Sequence, residues 1–134
     1  MTTGPFRYGP LITVAGQADA RSALVREPAA LVRVHRDVDR ALVFKCPSGC
    51  DDVLSINLDL RAGPAWRLRI TDLGVTLMPS VWRMHACRAH FVLWNSAVWW
   101  CRFEDDEEWP NEMEAELREE WRRIRAEWRD NPRR

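Results

Sequence analysis

The chain has 134 residues, 20 basic and 20 acidic side chains, and no formal net charge. That length suits one compact domain, and 46% apolar residues are enough to furnish its core. The composition argues against wholesale disorder, and the balanced charge argues against a general nucleic-acid or acidic-membrane binder. No window approaches ~18 uninterrupted apolar residues, so no transmembrane helix is expected. The start, Met1-Thr2-Thr3-Gly4-Pro5, lacks the basic and apolar regions of a secretory signal, and the expectation is a cytoplasmic protein.

In chain order, residues 1–27 offer weak signals, because Gly4, Pro5, Gly9, Pro10 and Gly16 interrupt any regular element. Leu11 to Ala15 suits an edge strand. Leu31 to His35 and Ala41 to Phe44 read as two short strands. From Val53 to Leu60 the residues Leu54, Ile56, Leu58 and Leu60 alternate with Ser55, Asn57 and Asp59, the period of a strand with one wet face. Trp66, Leu68 and Ile70 alternate in the same way with Arg67, Arg69 and Thr71. Asp72-Leu73-Gly74 is a turn, and Val75 to Leu77 resumes extended structure ahead of Pro79. His90 to Trp94 and Ala97 to Phe103 form a hairpin across Asn95-Ser96. Most of the eight tryptophans fall where a sheet would bury them.

The character then changes. After the acidic run Glu104 to Glu108, Pro110 precedes Asn111, which can cap a helix, with Glu114 in capping-box position. Met113, Leu117, Trp121, Ile124 and Trp128 line one helical face, and Pro132 bars continuation. The fold expected is mainly β, of the α+β class: a small antiparallel, zinc-stapled sheet or sandwich with a C-terminal amphipathic helix. Residues 1–109 would form the β domain and residues 110–131 the appended helix, docked on its own sheet or on a partner.

The zinc expectation rests on Cys46, Cys50, Cys87 and Cys101. Cys46-Pro47-Ser48-Gly49-Cys50 is a tight C-x3-C knuckle, and a hairpin folding at Asn95-Ser96 could bring Cys87 and Cys101 toward it. Four soft ligands suit tetrahedral zinc, and closed coordination would make the metal structural. Cys87-Arg88-Ala89-His90 is also ligand-like, so Cys46, Cys50, Cys87 and His90 form a second candidate set. The bland alternative is buried thiols acting as small apolar residues.

No glycine-rich phosphate loop, dinucleotide fingerprint, H-E-x-x-H or G-x-S-x-G motif is present. Ser80, after Pro79, and His90 flank one connection that antiparallel pairing could close into a nucleophile and base. By pattern alone a serine after proline is more often a turn former.

The run Cys46-Pro47-Ser48-Gly49-Cys50, then Trp66, Val75 to Val81 and Cys87 to Phe91, resembles a bacterial family of small zinc-binding proteins. Its pattern is C-x-C-G-C, T-V-S-L-x-P-S-[IV] and C-x-S-H-[FY]-[WF]-[IV]. The resemblance, over roughly residues 40–103, implies a serine-type, deubiquitinase-like protease encoded beside ubiquitin-like conjugation genes. It implies Ser80 as nucleophile and His90 as base, a ubiquitin-like protein as substrate, and its activating or conjugating enzymes as further partners. Two residues depart from the pattern: Ser48 stands at the middle cysteine and Ala89 replaces the serine before histidine. The first departure points to Cys101 as the ligand completing the metal site, leaving His90 free to act as base. Asp72 is a candidate orienting carboxylate because its turn precedes the serine's strand. The competing reading is a non-enzymatic, zinc-stabilised interaction module, with Ser80 a turn residue and His90 a ligand.

Overall fold

A computed structural model describes residues 6–78 and 80–101, together with 119, 120, 122, 123 and 126. The described chain runs β1 (Leu11–Val14), α1 (Gln17–Arg26), β2 (Leu31–Arg36), β3 (Val38–Lys45) and β4 (Val53–Asn57). A 3-10 turn at Leu60–Ala62 leads to β5 (Arg67–Thr71), β6 (Gly74–Met78), β7 (Val81–Trp82), β8 (His90–Trp94) and β9 (Ala97–Trp100). Three small sheets result, in the orders β1-β2-β3-β4, β5-β6 and β7-β8-β9. The β1–β2 pair is parallel and the other strand pairs are antiparallel. The mainly β architecture is the expected one.

Two layers of side chains hold the sheets together. Leu31, Leu42, Phe44, Leu54 and Ile56 point from the four-stranded sheet into a core shared with Val75, Leu77, Val81, Phe91, Leu93 and Val98. Phe44 and Phe91 meet edge to face, their ring centres 6.4 Å apart at 78°. Burying a side chain of this size is worth about 1.5–3 kcal/mol, so this core joins the sheets. The alternate residues Val32, Val34, Ala41 and Val43 face the other way, against α1. β2 and β3 are therefore covered on both faces, which explains why they read as apolar runs rather than clean alternations.

The helix corrects one expectation. Residues 1–27 do hold a regular element: α1 buries Ala20, Ala23 and Leu24, an i, i+3, i+4 stripe of mostly small side chains. Its N-cap is Gly16, with no side-chain cap bond, so neither a strong apolar face nor a capping residue marked it. By joining β1 to β2, α1 permits their parallel pairing.

The β8–β9 hairpin turns where expected. Asn95 (φ 48°) and Ser96 (φ 65°) both adopt left-handed backbone, as a two-residue primed turn demands. β6 packs directly against that turn: Ser96 N–H donates to Val75 O at 2.7 Å and Asn95 N–H to Thr76 Oγ1 at 2.9 Å. Gly74 (φ 132°) makes this approach feasible, since a Cβ there would lie 2.6 Å from Ser96 Oγ.

The expected C-terminal helix over 110–131, and the division between 1–109 and 110–131, fall largely outside the described residues. Glu119, Glu120, Arg122, Arg123 and Ala126 are helical. The Glu120 carboxylate lies 3.9 Å from the Arg69 guanidinium on β5. The strand end expected at Phe103 also lies outside, and β9 ends at Trp100. Among the described residues no helix is long and apolar enough to cross a membrane.

Candidate active site and thiol cluster

The register of β7 on β8 determines what meets what. Val81 pairs with Phe91 and Trp82 with His90. Side chains directly opposite share a sheet face, and those two residues apart along a strand share it too. Val81, Phe91, Leu93 and Ala89 take the core face. Ser80, Trp82 and His90 consequently fall on the other.

On that face Ser80 Oγ lies 3.1 Å from His90 Nε2, and both residues are buried, at 8% and 2% exposure. With its proton on Nδ1, the imidazole accepts the serine hydroxyl at Nε2. The Trp82 indole stacks on the His90 ring, centres 4.5 Å apart and planes 8° from parallel. Trp66 Nε1–H donates to Ser80 O at 3.2 Å, tying the serine backbone to the start of the β5–β6 hairpin. A hydroxyl aligned on a buried imidazole, with both backbones pinned, can pass its proton to that ring as it attacks an electrophile. Asp72 does not take part. The pairing of Thr71 with Gly74 and of Arg67 with Met78 puts its turn at the end of the hairpin away from Ser80.

The cysteines separate into three and one. The thiols of Cys46, Cys50 and Cys87 lie within 4.8 Å of one another. Cys46 follows β3, and the turn closes through Cys46 N–H to Asp52 O at 2.8 Å, with Gly49 at φ 84°. Cys87 comes from the β7–β8 connection, flanked by Ala86 (φ 60°) and Arg88 (φ 55°) in left-handed backbone. Such conformations cost non-glycine residues about 1–2 kcal/mol each, so the connection is held in place by what surrounds it. Cys101 stands apart from the three. Its N–H donates to His90 O at 2.9 Å, which continues the β8–β9 ladder and places it beside His90. Strand pairing, rather than spacing along the chain, decides where that thiol goes. The alternative set with His90 as ligand also meets a different geometry, because its Nε2 is at Ser80.

Arg83 was not singled out by sequence, and it binds the thiol cluster. Its Nη1 donates to Cys87 Sγ at 3.0 Å and Cys50 Sγ at 3.4 Å, and its Nη2 to Asp52 Oδ2 at 2.8 Å. Asp52 in turn is held below the usual carboxylate range, chiefly by that guanidinium hydrogen bond. Burial pushes the Cys46 thiol up. Burial also opposes ionisation of Cys87, but hydrogen bonds from Ser48, the Ala89 N–H and the neighbouring thiols bring it to about 6.

The thiols fit a metal. Cys46 Sγ and Cys87 Sγ are 3.6 Å apart. Zinc–sulfur bonds of ~2.3 Å at tetrahedral angles place sulfurs ~3.8 Å apart. A readily ionised Cys87 and a neighbouring guanidinium suit a cation bound by thiolates.

A small β protein in which a serine hydroxyl meets a buried imidazole, and in which three clustered thiols could hold a metal ion, has the makings of a hydrolase. Residues 18–101, more than half of the chain, match the family described as bacterial ubiquitination-like system serine protease (BubE). The chain belongs to that family. No curated protein and no solved structure matches it.

Trp82 and Arg83 escaped the sequence reading, and Trp66 was read there only as a strand and motif residue. The only signals for the first two were their positions, Trp82 two residues after Ser80 and Arg83 four before Cys87.

Proposed function

We propose that this protein is a serine peptidase that processes or removes a bacterial ubiquitin-like protein, with Ser80 as nucleophile and His90 as general base. The observation that carries the reading is the 3.1 Å approach of Ser80 Oγ to His90 Nε2 in a chain of this family. Ser80 attacks the carbonyl after the C-terminal glycine of the ubiquitin-like protein, and His90 takes the hydroxyl proton and returns it to the leaving group. Water then releases the acyl-enzyme with the imidazole again as base. At 8% exposure Ser80 suits an extended tail better than a folded surface.

Cys46, Cys50 and Cys87 hold a structural zinc in this reading. When bound, zinc would cross-link the knuckle to the β7–β8 connection, through which Arg83 and Cys87 fix the start of β8. The ubiquitin-like protein and its activating or conjugating enzymes are the partners, and the compartment is the cytoplasm.

Ser80→Ala is the test. The variant keeps its fold and metal content but neither cleaves a ubiquitin-like fusion nor labels with a fluorophosphonate probe. Wild-type cleavage by Ser80→Ala rules out this nucleophile, and an unlabelled wild type returns the protein to the interaction-module reading.

A further inference from the structure

Three thiols make one face of a tetrahedron. We propose that the Ser48 hydroxyl fills the remaining corner, so that the chain carries a three-thiolate, one-oxygen zinc site. The inference rests on the metal reading above and specifies it.

Ser48 lies inside the knuckle. Its Oγ is 3.2 Å from Cys46 Sγ, and it accepts the Cys50 N–H at 3.3 Å. One oxygen therefore touches the Cys46 sulfur and the backbone N–H of Cys50. With a zinc–oxygen bond of ~2.1 Å and a zinc–sulfur bond of ~2.3 Å, tetrahedral angles place oxygen and sulfur ~3.6 Å apart. The observed separation needs only a small opening of the turn.

The other donors nearby are committed elsewhere. Cys101 lies beside His90, with its backbone in the β9 ladder. His90 Nε2 meets Ser80, and the Asp52 carboxylate meets Arg83 at 2.8 Å. Ser48 Oγ is in direct contact with the Cys46 sulfur. Its contribution is weak and neutral. With three thiolates the zinc complex carries one negative charge rather than two, next to the Arg83 guanidinium. Such a site holds zinc less tightly than one with four thiolates, and it leaves one corner exchangeable with solvent.

The full chain, stripped of metal under reducing conditions and loaded with cobalt(II), tests this, because the intensity of thiolate-to-cobalt charge transfer counts sulfur ligands. Wild type is expected to show three, and Cys50→Ser two. Ser48→Cys raises the count to four and tightens zinc at least ~10-fold in competition with a chromogenic chelator. Ser48→Ala keeps three sulfurs and weakens zinc by about 10-fold. Cys101→Ser changes neither. Loss of a thiolate band in Cys101→Ser overturns the inference in favour of that cysteine. Unchanged affinity in Ser48→Ala, or an unchanged count in a folded Ser48→Cys, overturns it in favour of a solvent ligand. In those cases metal still binds and only the fourth ligand is wrong. A wild type that takes up neither cobalt nor zinc removes the metal reading, and this inference with it.

Discussion

Gly74 and Gly63 together make a controlled experiment on how β6 is held against the β8–β9 turn. Both have backbone that L-residues rarely adopt, at φ 132° and φ 125°. Alanine at either position pays a backbone strain of about 1–3 kcal/mol. Their surroundings differ. A Cβ on Gly63 meets nothing within 4 Å, whereas one on Gly74 would lie 2.6 Å from Ser96 Oγ and 2.7 Å and 2.8 Å from Asn95 C and O. Two of those three atoms are backbone and cannot rotate away. Relieving the overlap means moving the hairpin off β6, and overpacking of this kind adds about 1–3 kcal/mol. Gly63→Ala is thus expected to lose about 1–3 kcal/mol, and Gly74→Ala about 2–6 kcal/mol, in urea unfolding with unchanged m-values. The site should register the same difference. Ser80 lies two residues beyond β6 and His90 opens β8, so Gly74→Ala should also label more slowly with a fluorophosphonate while Gly63→Ala labels normally. Equal destabilisation by the two substitutions would refute the close approach.

Removing metal with a chelator should lower the thermal midpoint by about 10 °C and abolish cleavage, both recovering with zinc; an unmoved midpoint in metal-free protein contradicts a structural staple. Trp82→Ala should lower kcat about 2- to 10-fold with little change in KM, in line with about 0.5–1.5 kcal/mol for an aromatic stack, and Trp82→Phe should restore most of it; equal rates in all three proteins dismiss the stack as a positioning contact. Asp59 accepts hydrogen bonds from Arg61 Nε and N–H at 3.0 Å and lies 3.3 Å from Arg40, and the Arg61 side chain foremost holds its carboxyl below the usual range. Its stabilisation is then complete above the unfolded value of ~4 and disappears as pH falls through the lower folded value. Urea titrations should show the gap between wild type and Asp59→Asn closing in acid, and a gap independent of pH would sink that account.

What the sequence disclosed depended on how local the determining physics is. Asn95-Ser96 announced a hairpin because the residues flanking a two-residue turn carry its whole signature. β4 and β5 were legible from alternation, and β6 as an extended run between a turn and Pro79. α1 was not, since a stripe of Ala20, Ala23 and Leu24 carries little contrast and Gly16 supplies no capping side chain. The site divides similarly. Ser80 and His90 were visible through resemblance and through the connection they flank. Trp82 on His90, Arg83 on the thiols and Cys101 beside β8 all follow from strand register, which no spacing along the chain encodes.

The shortness of β7 has an engineering consequence. Within the four residues from Ser80 to Arg83, even-numbered side chains serve the imidazole and odd-numbered ones the core and the thiols. The segment works like a two-sided key whose parity is its meaning. Inserting or deleting one residue there would exchange the sides, turning an arginine toward the histidine and a tryptophan toward the sulfurs. Loop grafts and insertions intended to alter substrate preference should therefore leave this segment's length untouched, whatever else they change.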